Sequence, residues 1–397
     1  SHENLVKNFI AAAGIFRLKP EERYLSILPL CHVGGRMGNY QTQYSGTGIY
    51  YAENMGAFAR AMKEINAHGF DAVPRVLEKV YENIISKGNQ LSGLKKKIFF
   101  WAVRLGVKYD AYGKNSWWYL KRLQFADKMI FSKWREALGG EVRLVGCGGA
   151  SLQPSLEKLF WAAGVKVINM YGLTETSPII TISNTEAGKF KLGTVGSLID
   201  GVELRIAEDG EILCRGHNVM LGYYKDAAMT REALDDDGWF HTGDIGHIID
   251  DKFLAVTDRK KEIFKLSNGK FIAPQLIEGK FKQSGLIDNL MVVGENKKYA
   301  SALVVPEFES LSKWADSRNV AFSNRDELIC MPETQLHMQN EINQYNKMVS
   351  DHERILRFRL VPDTWSPESG ELSPTLKLKR KVINEKYQQL IENIYLQ

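Results

Sequence analysis

The stretch GVKVINMYGLTETSP (residues 164–178) joins a short apolar run to a polar turn. The run GVKVI is rich in β-branched residues and bounded by glycine, which predicts a buried strand. The polar residues follow its carboxyl end, the place where open α/β sheets bind ligands. Thr174 and Thr176 offer hydroxyls, and Glu175 offers a carboxylate to a hard cation. Gly172 lets the backbone approach a bulky group, although a polar turn without a ligand is the competing interpretation.

Strands and helices alternate along the first half of the chain. Strand patterns cover residues 23–30, 46–53 and 141–149, and helical spacing of apolar residues covers 55–68, 72–85 and 154–164. Because this alternation is typical of parallel sheets with crossover helices, the sequence predicts an α/β fold.

The pattern changes at Thr194, where short strands and turns begin. Residues 201–216, GVELRIAEDGEILCRG, predict a hairpin that turns at Asp209-Gly210. We therefore expect two parts of a large domain, residues 1–193 and 194–258, and a smaller domain at 259–397.

The smaller domain has its own pattern of elements. The expected elements are a helix at 273–283, a hairpin at 289–306, two helical stretches, a strand at 355–362 and one terminal helix at 382–395. The apolar residues that this terminal helix would place on one face are Ile383, Tyr387, Leu390, Ile391 and Ile394.

Composition restricts the class of protein. A hydrophobic content of 44% over 397 residues is ordinary for a soluble globular chain, and no apolar run approaches the length of a membrane-spanning helix. The cysteines at positions 31, 147, 214 and 330 are scattered, which argues against a zinc site or a disulfide framework and fits a reducing cytoplasm. The opening SHENLVKN has neither an initiator methionine nor a signal peptide, so we expect a fragment of a longer chain.

One segment carries most of the positive charge. Residues 91–135 hold eleven Lys or Arg against two Asp, whereas the whole chain has a net charge of +5. Eleven aromatic residues lie among these cations, including Trp101, Trp117, Trp118 and Trp134. This composition suits peripheral contact with a membrane or a site for an amphipathic anion, and the alternative is a solvated helical face whose aromatics serve the core. A nucleic-acid surface is disfavoured, because no nucleic-acid module signature accompanies the segment.

Further motifs surround the opening stretch. GCGGASL (146–152) ends a predicted strand with a glycine pair, where the backbone can approach a flat ring or a phosphate. GWFHTGDIGHI (238–248) places Asp244 after Gly243 in a tight turn, where its carboxylate can accept both hydroxyls of a ribose. Residues 257–278 form a charged stretch at the predicted domain boundary. LDDDGW (234–239) contains three aspartates, which can ligate a metal ion, but we interpret it as an acidic turn.

In this order the motifs resemble those of the adenylate-forming superfamily of acyl-CoA synthetases, luciferases and peptide-synthetase adenylation domains. They are most similar to those of long-chain fatty acid–CoA ligases. The segments 28–35, 72–81, 131–152 and 371–383 extend the resemblance over essentially the whole chain. The resemblance implies a large layered α/β domain, incomplete here, followed by a small mobile α+β lid domain.

The resemblance also implies roles for individual residues. Those expected to bind ATP and AMP are Gly148, Gly149, Ala150, Asn169, Tyr171, Gly172, Thr174, Asp244 and Arg259. Within this set, Asp244 matches the ribose-binding aspartate, Thr174 the threonine that contacts phosphate, and Arg259 the arginine that reaches both. Glu175 matches the glutamate that binds Mg²⁺, and Asp258 matches the hinge.

The implied reaction has two steps. A fatty acid and ATP form acyl-AMP and pyrophosphate, and coenzyme A then takes the acyl group and releases AMP. Thr174, Glu175, Arg259 and a lysine from the small domain would be catalytic, with Mg²⁺ neutralising phosphate charge. A carrier protein as the acyl acceptor, or an adenylate-binding protein without catalysis, are the open alternatives.

The resemblance implies that the catalytic lysine lies in ELSPTLKLKRKVI (371–383). Alternation would put Lys377 and Lys379 on one side of a strand, and spacing from Pro374 and Thr375 matches the family motif best at Lys377. The alternative interpretation of Lys379, Arg380 and Lys381 is a solvated basic edge.

Two other features concern the phosphate and acyl end of the site. His32 in LPLCH matches a position on the acyl and pyrophosphate side, with a structural histidine as the alternative. The family's phosphate loop, which normally precedes SHENL, has no counterpart, since YSGTGIYY (44–51) reads as a turn that enters a strand. Full activity of these 397 residues is therefore not expected.

Overall fold

The structure, a computed structural model, describes residues 1–111, 115–373 and 376–396. It divides into two units, Ser1–Val256 and Thr257–Gln397.

A seven-stranded sheet organises the first unit. In chain order its strands are β1 Arg23–Ser26, β2 Gly48–Tyr51, β3 Gly69–Ala72, β4 Leu144–Gly148, β5 Lys166–Gly172, β6 Ile179–Ile182 and β7 Ser197–Leu198. Their spatial order is β2-β1-β3-β4-β5-β6-β7, with β1 to β5 parallel and β6 and β7 antiparallel to their neighbours. The layered α/β prediction is confirmed, and so is the turn that enters a strand near residue 46.

Helices connect these strands. They are α1 His2–Ala13, α2 Val33–Tyr44, α3 Phe58–Ile65, α4 Pro74–Gln90, α5 Gly93–Gly106, α6 Trp117–Ala126, α7 Ser132–Ala137 and α8 Pro154–Ala162. Proline at the first position of α4 and α8 suits a helix start, because its missing N–H has no intrahelical partner there. Val145, Val167 and Ile168 in the sheet are fully buried, and each such side chain contributes about 1.5–3 kcal/mol through burial.

Helices α6 and α7 are joined by a π-helical turn, Asp127–Phe131. A π turn carries one more residue than an α turn and shifts which side chains face inward. Ala126 and Phe131, five positions apart, are both fully buried, and Trp134 follows them into the core. Trp117, Trp118 and Phe125, by contrast, are more than half exposed.

A second, antiparallel sheet follows, and its last strand runs past Val256, the end of the first unit. Its strands are β8 Val202–Ile206, β9 Glu211–Gly216, β10 Phe240–Ile249 and β11 Phe253–Arg259, in the order β11-β10-β9-β8, with helix α9 Ala227–Ala233 between β9 and β10. The hairpin predicted at Asp209-Gly210 is confirmed as β8–β9, and Gly210 takes φ 85°, a left-handed conformation that favours glycine.

The second unit has separate sheets and a core of its own. Its elements are β12 Phe264–Lys265, β13 Phe271–Ile272, α10 Pro274–Phe281, β14 Ile287–Val293, β15 Ser301–Pro306, α11 Phe308–Ser317, α12 Arg325–Cys330, α13 Pro332–Asn346, β16 Arg357–Leu360, α14 Arg380–Lys386 and α15 Gln388–Tyr395. The predicted helix at 273–283, hairpin at 289–306 and strand at 355–362 are confirmed.

The prediction of one uninterrupted terminal helix is wrong. Tyr387 takes φ −110° and ψ 20° and separates α14 from α15. Its hydroxyl donates to Asp363 at 2.8 Å and accepts from the indole of Trp365 at 3.2 Å, so its side chain is held from outside the helix. The expected apolar face survives the break, because Ile383 and Ile394 are both fully buried.

Within the described ranges, none of the helices combines the length and the apolar character that crossing a membrane requires.

Candidate functional site

The glycine pair Gly148-Gly149 and the polar turn after Tyr171 lie side by side at the carboxyl ends of strands β4 and β5 of the seven-stranded sheet. Parallel strands β4 and β5 pair in register, with Gly148 opposite Met170. The next residues, Gly149 and Ala150, are exposed at the carboxyl end of β4, beside the Tyr171 end of β5. Gly149 takes φ 85°, which glycine adopts without strain. This edge therefore presents accessible backbone next to an aromatic side chain.

Tyr171 and Asp244 meet at this edge although 73 residues separate them. The Tyr171 hydroxyl donates to Asp244 Oδ2 at 2.9 Å. Burial, followed by the charge of Asp244, raises the pKa of Tyr171 well above its usual value, so the phenol stays a donor. The pair brings a ring and a buried carboxylate together, an arrangement that can bind a base and the hydroxyls of a sugar.

The prediction that Asp244 follows a tight turn is wrong. Asp244 lies inside strand β10, where the pairing with β9 shifts between His241 and Ile245. Gly243 takes φ 69° at this bulge, and the Asp244 amide donates to the Thr242 hydroxyl at 3.1 Å. A bulge redirects a side chain without ending the strand, which explains how the carboxylate of Asp244, in the middle of β10, can reach the Tyr171 hydroxyl.

The structure changes the interpretation of two residues in the stretch 164–178, Gly172 and Thr176. A Cβ on Gly172 would lie 1.7 Å from the carbonyl oxygen of Pro178, so the close approach is to the protein's own backbone. Thr176 is fully buried, and its hydroxyl donates to Pro178 O at 2.6 Å while accepting from Leu173 N. The hydroxyl that stays accessible in this stretch is that of Thr174, the first residue of a single 3-10 turn.

Glu175, in the same turn, has a partner that sequence reasoning missed. The hydroxyl of Tyr223 donates to Glu175 Oε1 at 3.0 Å, and the backbone of Met220 donates to the Glu175 carbonyl oxygen at 2.8 Å. Burial and the bond to Glu175 raise the pKa of Tyr223 to about 12. No local pattern connects two residues 48 positions apart, so only the fold reveals this support.

The donor set around Glu175 suits one kind of metal. Among the residues described, no group of three or more His, Cys, Asp or Glu could hold an ion. Mg²⁺ is commonly held by one or two carboxylates together with substrate phosphates and water. A half-buried carboxylate beside an exposed threonine hydroxyl fits that mode and does not fit a closed structural metal site.

Asn169 supports the sheet from inside. Its amide donates to Glu157 Oε1 at 2.9 Å and to Thr194 O at 3.2 Å, and all three groups are buried. Burial raises the pKa of Glu157 to about 8, against the hydrogen bond from Gly193 N. Sequence reasoning missed Glu157, because a lone glutamate on α8 resembles any surface position of a helix. Nucleotide contact by Asn169 stays a prediction.

His32 and the acidic stretch LDDDGW (234–239) lie at the surface and in a turn. His32 is exposed and precedes α2 without a side-chain capping bond. The acidic stretch LDDDGW is a turn, as expected, in which Asp235 Oδ1 accepts from the backbone of Asp237 and Trp239.

In the second unit, Asp258 is buried and Arg259 is exposed. Asp258 Oδ1 accepts from Arg259 N at 2.7 Å, and Oδ2 accepts from Gln275 N at 3.0 Å. Burial raises the pKa of Asp258 to about 6, although both backbone bonds act to lower it. Asp258 therefore ties the end of β11 to the start of α10.

The prediction that Lys377 and Lys379 share one side of a strand is wrong. Leu376 takes φ 59°, which interrupts an extended run, and only a single bridge joins Leu372 to Leu378. Ser373 N donates to Lys377 O at 2.8 Å, and the Lys377 side chain is exposed. Lys379 is also exposed, and it precedes α14 without a side-chain capping bond. The reference positions Pro374 and Thr375 lie outside the described residues.

Arg380 does not belong to a solvated edge. Its guanidinium donates to Glu262 at 2.7 Å and to Glu278 at 2.6 Å, and only 16% of its side chain is exposed. Burial disfavours its charge, but Glu278 and Glu262 outweigh that effect and raise the pKa of Arg380. Lys381, the next residue, is 90% exposed, as expected for the basic edge.

Comparison with known proteins identifies the family of this chain. Residues 1–224 match the AMP-binding enzyme family, and residues 261–397 match the AMP-binding enzyme C-terminal domain. The chain is 35% identical over 382 residues to the long-chain-fatty-acid–CoA ligase FadD15 of Mycobacterium tuberculosis, covering 95% of this chain and 63% of that protein. It is 30% identical over 415 residues to the peroxisomal long chain acyl-CoA synthetase 6 of Arabidopsis thaliana, covering 100% and 58%. The chain thus spans about 60% of the length of these relatives.

Solved structures share the fold. The adenylation domain of a carboxylate reductase from Mycobacterium chelonae superimposes with a TM-score of 0.76 at 23% identity, over 99% of this chain and 57% of that one. The o-succinylbenzoate CoA synthetase of Bacillus subtilis, in complex with its acyl-adenylate, gives 0.64 at 18% identity, over 96% and 64%. The resemblance stated from the motifs is confirmed: the chain belongs to the AMP-binding enzyme family of adenylate-forming proteins.

Proposed function

We propose that this chain carries the adenylate site of a long-chain fatty acid–CoA ligase. The observation that carries the proposal is the pairing of Tyr171 with Asp244 beside the exposed backbone of Gly149. Supporting it are the names of the most similar curated proteins, which are long-chain fatty acid–CoA ligases and synthetases.

In the proposed site, AMP lies along the sheet edge. Its adenine packs between the Gly148–Ala150 segment and the ring of Tyr171, and Asp244 accepts hydrogen bonds from the ribose hydroxyls. A buried carboxylate is a strong acceptor, because low local polarity strengthens a charged hydrogen bond. Asn169 acts in this scheme by holding β5 in place.

The proposed reaction has two steps. A carboxylate oxygen of the fatty acid attacks the α-phosphorus of ATP, and pyrophosphate leaves. The thiolate of coenzyme A then attacks the acyl carbon, and AMP leaves with the former carboxylate oxygen. Thr174 and Arg259 are proposed to bind phosphate oxygens, and Lys377 to stabilise the charge that develops during the first step.

Glu175 is the proposed ligand of Mg²⁺. The ion supplies charge neutralisation for the nucleotide phosphates when it is bound. Tyr223 keeps the Glu175 carboxylate oriented through its hydrogen bond, and Thr174 offers a neutral oxygen next to it. His32 is the proposed neighbour of the acyl and pyrophosphate groups.

The domain roles follow the same scheme. Residues 1–193 and 194–258 are proposed as parts of the large adenylation domain, and 259–397 as a lid that rotates about Asp258. A lysine used only for adenylation is best carried on such a lid, because its withdrawal makes room for the thiol.

The test supplies synthetic palmitoyl-AMP and coenzyme A to the 397-residue chain and follows the release of AMP. This substrate already lacks pyrophosphate, so the outcome does not depend on the phosphate loop. Release that requires coenzyme A, with palmitoyl-CoA formed, is expected. If release occurs only with an acyl-carrier protein, or if AMP binds without any turnover, the ligase proposal is wrong.

The nucleotide site has an independent test. Asp244→Ala is expected to weaken AMP binding about 10- to 150-fold, since bonds to a charged acceptor contribute about 1.5–3 kcal/mol. Asp236→Ala, a change at an exposed aspartate in the turn before β10, is the matched control and should bind AMP normally. Equal AMP affinity in both variants, measured by calorimetry on folded protein, would remove Asp244 from the site.

A further inference from the structure

Helices α5 and α6 form a surface that the proposed reaction does not use. We call it the α5–α6 face, and the described residues that line its groove are Lys97, Ile98, Trp101, Trp118, Lys121, Arg122 and Phe125. The groove has a volume of about 840 Å³. Its α6 members recur at intervals of three and four residues, so they share one side of that helix.

Much of the apolar surface on and beside this face is exposed, although Trp101 packs partly against the core. Trp118 is 72% exposed, Trp117 60% and Phe125 52%. Leu94 at the start of α5, at 71%, adds an exposed apolar side chain one turn before Lys97 and Ile98. The sequence left open whether the aromatics here serve the core, and the answer differs along the segment: Phe131 and Trp134 are buried, whereas these residues are not. Clusters of exposed large apolar side chains mark interaction sites.

The charge on the face has one sign. Three of the seven lining residues are cationic and none is acidic. Among the described residues, no carboxylate lies within ion-pair distance of Lys97, Lys121 or Arg122. Lys121 instead lies 5.7 Å from the ring centre of Trp117. These cations remain available to an anionic partner.

Aromatic and aliphatic groups beside cations distinguish between classes of partner. Tryptophan prefers the boundary between lipid headgroups and acyl chains, where its ring is buried and its N–H stays hydrated. Leucine side chains gain nothing from a nucleic-acid backbone but gain burial in lipid. We propose that the α5–α6 face docks the protein on the surface of an anionic phospholipid bilayer, with Trp117, Trp118 and Phe125 inserted at headgroup depth and Lys121 and Arg122 on lipid phosphates.

The test measures binding of the whole chain to vesicles without any substrate. Vesicles of phosphatidylcholine alone are compared with vesicles that contain phosphatidylglycerol in equal parts, at low and high salt. Binding is expected only to the anionic vesicles and should weaken as salt screens the charges. Each Lys or Arg near such a surface contributes about fivefold to the partition coefficient, so Lys121→Gln with Arg122→Gln should lower it about 30-fold.

The insertion has its own readout. Phospholipids brominated near the headgroup should quench tryptophan fluorescence in the unmodified chain, and Trp117→Ala with Trp118→Ala should remove that quenching. The matched control, Lys63→Gln with Lys225→Gln, changes two exposed lysines on other elements and should bind vesicles normally.

Several results would overturn the docking. They are equal binding to both vesicle types, face variants that bind like the unmodified chain, and quenching by a monomeric brominated fatty acid with no vesicle binding. AMP affinity is measured on the same variants. Normal AMP binding with lost vesicle binding separates this proposal from the proposed ligase site, because neither result depends on turnover.

Discussion

Replacing Arg380 with methionine leaves the buried carboxyl group of Glu278 without its cation. Arg380 bonds Glu278 and Glu262 at once, and Glu262 also accepts from the Gln275 side chain at 2.9 Å. The Glu278 side chain is 8% exposed, whereas 27% of Glu262 reaches solvent. The loss therefore falls mainly on Glu278, because water can replace the cation at Glu262.

The magnitude follows from the titration of Glu278. Burial already raises the pKa of Glu278 in spite of Arg380, and removing the cation raises it further, so the carboxyl folds as the neutral acid. An unfolded glutamate titrates near 4.3 and one pKa unit corresponds to about 1.4 kcal/mol, so protonation at pH 7 costs about 3.7 kcal/mol. This agrees with the loss of about 3–5 kcal/mol seen when a buried ion pair loses one partner.

The sign of the pH dependence is specific to this mechanism. In Arg380→Met the folded pKa of Glu278 lies above the unfolded pKa, so the folded state holds a proton that the unfolded state releases at pH 7. The destabilisation should shrink by about 1.4 kcal/mol for each pH unit between pH 7 and pH 5. Glu278→Gln in the same chain should restore most of the stability at pH 7, because no charge remains to be neutralised.

Amide hydrogen exchange of β15 is the assay, since every residue of that central strand is buried. Exchange at pH 7 should become about 500-fold faster in Arg380→Met, the equivalent of 3.7 kcal/mol. Lys381→Met, at the 90% exposed neighbour, should change it by less than about threefold. An acceleration below tenfold, or one that is the same at pH 5 and pH 7, would refute the reasoning.

Two further changes test the first unit. Glu157 has a folded pKa of about 8, above its unfolded value of about 4.3, so its contribution to stability is lost progressively as pH rises from about 4.3 to about 8. Glu157→Gln should remove this dependence in urea unfolding followed at pH 6 and pH 8. If the variant keeps the pH slope, another group is responsible. Gly172→Ala would put a methyl group 1.7 Å from Pro178 O and should cost about 3 kcal/mol, whereas Gly279→Ala on α10 meets nothing within 4 Å and should stabilise by about 0.5–1 kcal/mol. Similar melting temperatures for the two alanine variants would contradict the contact.

Elements with strong local patterns were predictable. The β-branched run before Tyr171, the alternation with helices and the Asp209-Gly210 turn each depend on neighbours in the chain, and each was confirmed. The glycine pair and the polar turn were each expected at the end of a strand, and the parallel pairing of β4 with β5 brings Gly149 and Tyr171 to the same end of the sheet.

Contacts between distant residues were not predictable. Arg380 carries the same local signal as Lys381, yet one is buried between two glutamates 102 and 118 positions away and the other is solvated. Leu376 interrupts a strand that alternation favoured.

The sequence by itself determined which segments form strands, helices and turns, and which family motifs the chain carries, because periodicity, β-branching and glycine act over a few residues. Only the tertiary structure decided which polar groups meet: Tyr171 with Asp244, Tyr223 with Glu175, and Arg380 with Glu278. Each of these pairs joins residues that are far apart in the chain. The partner of a buried polar group is set by packing, since an unpaired one costs more than local preference can offset.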